Sequence, residues 1–150
     1  FDTRGNASQA GEDRVLRVKG DKIESILWGS DLSSPNGLAF DKASFRFIVG
    51  PWDSDSVYSF APGSLAKTKI AAGRGQFDGI EVLDDGRVLV SSWADSSVGV
   101  VKDGKLEKVV SGVDGAADIG YDSKRNVLAI PRFSANSVDY YKISGGGGAQ

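Results

Sequence analysis

An all-β fold, assembled from a repeated unit of about 40 residues, is what this sequence predicts. Three observations carry that expectation: an internal repeat, short runs of alternating apolar and polar residues, and an excess of glycine. The repeat shows in three segments. Pro35-Asn36-Gly37-Leu38-Ala39-Phe40-Asp41 opens one, Phe77-Asp78-Gly79-Ile80-Glu81-Val82 the next, and Ala117-Asp118-Ile119-Gly120-Tyr121-Asp122 the third. Each leads through a turn into an apolar stretch: Phe47-Ile48-Val49, Val88-Leu89-Val90 or Val127-Leu128-Ala129. Trp52, Trp93 or Arg132-Phe133 comes next, and then Ser56-Val57, Ser97-Val98 or Ser137-Val138. Asn36 and Asp78 are 42 positions apart, Trp52 and Trp93 41, and Ser97 and Ser137 40.

Within each unit the periodicity is that of strands. Ser56-Val57-Tyr58-Ser59-Phe60 alternates with period two, as a strand does. Turn chemistry separates the runs. Asp84-Asp85-Gly86 and Asp103-Gly104 are hairpin signals, because Asp and Gly tolerate positive φ. Lys19-Gly20-Asp21 and Ala61-Pro62-Gly63 fill the same slot as Asp103-Gly104 in their own units. Glycine makes up 20 of 150 residues, about twice the ordinary share of ~7%. Four short strands per ~40 residues is the spacing of a β-propeller blade.

With the strands of a blade named A to D, residues 14–29 supply C and D, 35–73 and 77–112 supply A to D, and 117–143 supply A to C. That is thirteen strands, or about three and a quarter blades. A β-sandwich also has short strands at 8–12-residue spacing, but threefold agreement at one period favours the propeller. The boundaries read as a loop over 1–10, the partial propeller over 11–144, and a flexible Gly-rich tail over 145–150.

Composition narrows the chemistry. Without Cys there is no disulfide, thiol nucleophile or thiolate metal site, and without His no Ser-His-Asp triad or imidazole ligand. A metal here would be held by oxygen, which favours Ca²⁺ or Mg²⁺. The net charge of -2 gives no basic stripe for nucleic acid. No apolar run approaches the ~18 residues of a membrane span. A soluble protein is expected, with a periplasmic or secreted location after processing slightly favoured over the cytoplasm.

Strand A of a blade lies innermost, so the loop entering it opens at the mouth of the central channel. Asn36 and Asp78 hold that position, and two converging oxygen donors suit a hard cation. The plainer alternative is that Asn-Gly and Asp-Gly are ordinary turn dipeptides. Ala117 occupies the corresponding slot of the last unit, which leaves Asp118 as a turn or capping carboxylate. The B–C loops open on the same face and carry Trp52, Asp53, Asp55, Trp93, Asp95, Arg132 and Asn136. The tryptophans pack between blades or form an aromatic wall for a substrate. Arg132 stands where other units have Trp, as a solvated cation or a clamp for a substrate anion. Trp93, Asp95 and Arg132 are the candidate substrate contacts.

The segments Pro35-Asn36-Gly37-Leu38-Ala39-Phe40-Asp41, Phe77-Asp78-Gly79-Ile80-Glu81 and Gly115-Ala116-Ala117-Asp118-Ile119-Gly120-Tyr121-Asp122 resemble the six-bladed propellers of the senescence-marker-protein, gluconolactonase and luciferin-regenerating-enzyme group. The resemblance covers residues 11–143. It implies a divalent cation, Ca²⁺ foremost, at the top of the channel, held by a Glu, two Asn and an Asp from different blades. Asn36 matches the later Asn. Asp78 matches the Asp, which also serves as general base in lactone hydrolysis. The Glu and the earlier Asn fall in blades that would precede residue 1, so the chain resembles the second half of such an enzyme. Two functions stand open: a metal-dependent hydrolase of lactones or small esters, and a non-catalytic propeller that binds a partner protein or serves as a structural subunit. An incomplete ring exposes blade faces at both ends. Completion by a missing N-terminal half is expected, ahead of pairing with another chain.

Overall fold

The computed structural model describes residues 13–144, all of it strand and turn apart from two single-turn 3₁₀ segments. The loop expected over 1–10 and the tail over 145–150 lie outside the described residues. Among the described residues there are thirteen strands, as the repeat predicts. They are β1 (Arg14–Lys19), β2 (Lys22–Trp28), β3 (Pro35–Asp41), β4 (Arg46–Pro51), β5 (Ser56–Phe60), β6 (Lys67–Ala72), β7 (Phe77–Val82), β8 (Val88–Ser92), β9 (Ser97–Lys102), β10 (Lys105–Ser111), β11 (Gly120–Asp122), β12 (Val127–Arg132) and β13 (Ser137–Lys142). β1–β2 form a hairpin, β3–β6 and β7–β10 are four-stranded antiparallel meanders, and β11–β13 is a three-stranded one. The two full meanders touch edge to edge through a single parallel pair, Ala72 with Lys105. Among the described residues no helix is long and apolar enough to cross a membrane.

Turn chemistry closes the hairpins as expected. Asp103 (φ 50°) and Gly104 (φ 75°) are both left-handed, the signature of a two-residue type I′ turn. Pro62-Gly63 forms a type II turn: Gly63 has φ 80°, and Ser64 N donates to Ala61 O at 3.0 Å.

The two four-stranded meanders are covered on both faces, which explains why their central strands read as unbroken apolar runs. Neighbouring residues of one strand point to opposite faces. Val49 and Tyr58 therefore pack toward β1–β2 with Val15, Leu27, Leu32 and Phe60. Ile48 and Val57 pack the other way, with Ala71, Phe77, Ile80 and Val90. Leu89 and Val98 face the last meander with Val113, Ile119, Leu128 and Ile130. Three cores thus lie between four stacked sheets.

The sheets fan about an axis lined by β3, β7 and β11. A Cβ on Gly37 would lie 2.1 Å from the Asp78 carbonyl oxygen, and one on Gly79 would lie 2.2 Å from Ile119 N. Backbones that close have no room for a side chain. This corrects the turn explanation of the Asn-Gly and Asp-Gly pairs. Both lie within strands, and neither glycine is among the positive-φ residues. Gly is required there by the convergence of innermost strands.

Candidate functional site

Bulges build the mouth of the channel. Asn36 is the unpaired residue between the pairs Pro35–Pro51 and Gly37–Gly50. Asp78 and Gly79 fall in the matching gap between Phe77–Ser92 and Ile80–Val90. A bulge lifts a residue out of the ladder and re-aims its side chain. Buried Ser91 braces the second gap: its hydroxyl accepts from Gly79 N at 2.7 Å and donates to Ala117 O at 2.9 Å. That single side chain ties the A strand of one blade to the entry of the next.

Asn36 and Asp78 are brought together. The Asn36 amide donates to Phe77 O at 3.2 Å and lies near enough to Asp78 to favour its charged form. Asp78 Oδ2 accepts from the Trp93 indole N–H at 3.0 Å. Burial raises the Asp78 pKa above the usual carboxylate range; the Trp93 bond opposes that rise, and the charge of Asp118 adds to it. Asp118 is itself raised by burial. Glu81 is raised by burial too, with the Tyr121 N–H opposing and Asp118 reinforcing. Three partly desolvated carboxylates thus flank one axis, and among the described residues none of them is in an ion pair. The sequence reading did not single out Glu81 and took Asp118 as a turn or capping carboxylate. The signal was Asp118 itself, which fills the slot of Gly37 and Gly79 in the last blade and so puts a carboxylate where the others have none.

Trp93 packs edgewise on Trp52 (ring centroids 5.4 Å apart) and at a tilt against Phe133 (5.5 Å). The three rings occupy one repeat position. Trp52 N donates to Ser34 O, Trp93 N to Gln76 O, and Phe133 N to Gly115 O, so each B–C loop is pinned to the entry of its own strand A. This corrects the placement of Arg132. Phe133, not Arg132, aligns with the tryptophans. Arg132 pairs with Ala116, as Pro51 pairs with Pro35 and Ser92 with Phe77. Its guanidinium lies 3.6 Å from Asp139, and its Nε is buried without a partner. Asp95 is turned to the outer strand, accepting from Ser97 Oγ and lying 3.2 Å from Lys108 Nζ. Trp52 and Trp93 are half-buried and belong to none of the three cores.

The donor set fits a hard divalent cation in part. Asn36 and Asp78 offer oxygens, and among the described residues no basic side chain pairs with Asp78. A Ca²⁺ ion takes six to eight oxygens, and among the described residues no three acidic side chains converge as a complete metal site.

Asp78→Asn tests the strain in this arrangement, since it keeps an acceptor for Trp93 and removes the charge. The folded-state pKa of Asp78 lies above its unfolded value. Ionisation therefore opposes folding, fully so above the folded value and not at all below the unfolded one, at about 4. The substitution is expected to raise the urea midpoint at pH 7, with the gain vanishing as pH falls below that value. An unchanged midpoint at pH 7 would show that the carboxylate is not under strain.

No known family model matches the sequence, and no curated protein does. Solved structures do. A chain of a nidogen/laminin complex aligns over 89% of this chain and 54% of its own, at 17% identity and a TM-score of 0.68. A protein provisionally assigned as a gluconolactonase aligns over 85% and 45%, at 19% identity and a TM-score of 0.59. A provisionally assigned 6-phosphogluconolactonase from Bacteroides uniformis aligns over 91% and 48%, at 15% identity and a TM-score of 0.59. The chain spans about half the length of these structures. At such identities the likeness establishes the fold: the chain is built as blades of a β-propeller, the architecture it shares with gluconolactonase-like proteins.

Proposed function

We propose that this chain carries part of the active site of a cation-dependent lactone or ester hydrolase of the gluconolactonase type. The observation that supports it most is the pairing of Asn36 and Asp78 on adjacent innermost strands, with Asp78 partly desolvated and held by Trp93. A divalent cation, Ca²⁺ foremost, would be held by Asn36 and Asp78 together with donors from the blades that complete the ring, and when bound would polarise the substrate carbonyl. Asp78 acts as general base. Its carboxylate is oriented by the Trp93 indole N–H, which leaves the other oxygen to take the proton. A water gives its proton to Asp78 as its oxygen bonds to the lactone carbonyl carbon. The ring C–O bond then breaks, and the departing oxygen takes the proton back. Trp52, Trp93 and Phe133 form an apolar wall beside the reacting carbon.

Ring-opening of small aliphatic lactones by the completed ring, this chain together with the polypeptide that supplies the remaining blades, followed by pH-stat with Ca²⁺ present, tests this. Turnover above the buffer rate is expected, reduced at least ~100-fold in Asp78→Asn, the scale of a lost general base. Equal rates for the two proteins, including no turnover by either, would overturn the hydrolase reading.

A further inference from the structure

The spaces between successive blades are filled unequally. In the first, between β1–β2 and β3–β6, Tyr58 and Leu32 are buried together, and the Tyr58 hydroxyl donates to Leu32 O at 3.4 Å. Gly99 holds the Tyr58 position in the next blade. Each is the third residue of its strand C, and each pairs with a lysine of strand D, Tyr58 with Lys69 and Gly99 with Lys108. The linker between blades changes in the same sense. Gly73 N donates to Asp55 O as Val113 N donates to Ser96 O, each to the residue just before strand C. Val113 is buried in the space before the last sheet, whereas Gly73-Arg74-Gly75 brings no apolar side chain to the middle one. Leu106 lies against both glycines: a Cβ on Gly73 would be 2.8 Å from its Cδ1, and one on Gly99 would be 3.1 Å from its Cβ. Beside Leu106 the two complete meanders leave a cleft of about 360 Å³, the volume of a small-molecule site.

Charge lines this cleft. Arg74, Lys105 and Lys108 border it together with Asp95. Lys108 Nζ lies 3.2 Å from Asp95, which also accepts from Ser97 Oγ. Arg74 and Lys105 are exposed, and among the described residues neither is in an ion pair. Three cations against one carboxylate leave a surplus of positive charge. We propose that the cleft binds a small phosphate monoester, with Arg74 and Lys105 on the phosphate and Leu106 against the organic part. A phosphate monoester carries close to two negative charges at pH 7, which matches the surplus; a monocarboxylate would leave one cation unmatched. Arg offers phosphate oxygens a planar fork, and Lys a mobile point charge. The cleft lies wholly within this chain, between its two complete blades and apart from Asn36 and Asp78, so the inference is independent of any hydrolase activity.

The test is calorimetric titration of phenyl phosphate into the intact chain, at low salt and with EDTA to remove divalent cations. Saturable binding is expected, weaker for inorganic phosphate and absent for phenol. Affinity should fall as pH drops through ~6, where the phosphate dianion takes up a proton. Arg74→Gln combined with Lys105→Gln should weaken binding at least tenfold, the scale of lost charge-assisted bonds. Both side chains are exposed, so the variant retains its fold. Lys42→Gln combined with Lys124→Gln removes the same charge at exposed positions elsewhere and should leave binding unchanged. Four results would overturn the inference: no saturable binding to the folded chain; equal affinity in the Arg74/Lys105 variant; an equal loss in the Lys42/Lys124 variant, which would mean a response to net charge alone; or phenol binding as tightly as phenyl phosphate.

Discussion

Gly79→Ala is expected to be among the most damaging single-methyl changes, alongside Gly37→Ala. The new Cβ would sit 2.2 Å from Ile119 N, 2.9 Å from Asp118 Cα and 2.9 Å from an Ile119 side-chain carbon. Two of those atoms are backbone, so no rotamer change relieves the overlap. β7 and β11 would have to separate, opening the core that contains Ile119, Leu128 and Ile130. Overpacking in a rigid interior typically costs ~1–3 kcal/mol, and more where the neighbour cannot move. A loss at or beyond the top of that range is expected from urea denaturation. Gly86→Ala is a useful control: a Cβ there meets nothing within 4 Å, so only the strain of its φ of 85° remains. A Gly79→Ala protein as stable as the parent would show that the innermost strands do not converge as described.

Phe77→Ala should be nearly as severe, for the opposite reason. Phe77 is fully buried between the two four-stranded meanders, against Ile48, Val57, Ala71, Ile80 and Val90. Removing the ring leaves a cavity that strands pinned by ladders on both sides cannot collapse to fill. Large-to-small changes of this kind cost ~3–5 kcal/mol. Phe77 also begins β7, and its carbonyl accepts the Asn36 amide. Disorder at Phe77 therefore propagates to the mouth, and the Asn36–Asp78 arrangement should loosen with it. Phe45→Ala, at an exposed ring, should cost under about 1 kcal/mol. Comparable losses at the two positions would contradict the three-core architecture.

The strands were legible because their signal is local. Period-two alternation and Asp-Gly or Pro-Gly turns act within a few residues, so the thirteen strands and their assignment to blades could be counted from the sequence. The need for Gly37 and Gly79 was not local. It comes from a strand ~40 residues away, and without that neighbour an Asn-Gly or Asp-Gly pair looks like a turn. The Arg132 slot was misplaced by one residue because Arg132-Phe133 offers two side chains where other units show one tryptophan. The backbone bond from Phe133 N to Gly115 O decides between them. Asn36 and Asp78 were singled out through a family resemblance and a position at strand entry. The bulges that aim them are announced by no local pattern, and the Asn36 amide bonds the Phe77 carbonyl next to Asp78. Asp118 was discounted as a turn residue, yet its charge reaches both Asp78 and Glu81. Asp95 was drawn toward the site by its loop but is held by Lys108 on the outer strand.

Terbium luminescence tests the proposed cation at Asp78 most directly. Tb³⁺ takes the oxygen ligands that Ca²⁺ takes and emits when a nearby indole transfers excitation to it. The Trp93 indole nitrogen lies 3.0 Å from Asp78 Oδ2, so an ion on that carboxylate would be strongly sensitised. Excitation of tryptophan should give saturable Tb³⁺ emission that Ca²⁺ displaces, that Trp93→Phe dims, and that Asp78→Asn abolishes while the fold stays intact. Emission of equal strength and affinity in Asp78→Asn, or none from the parent chain, would contradict the assignment of Asp78 as a ligand.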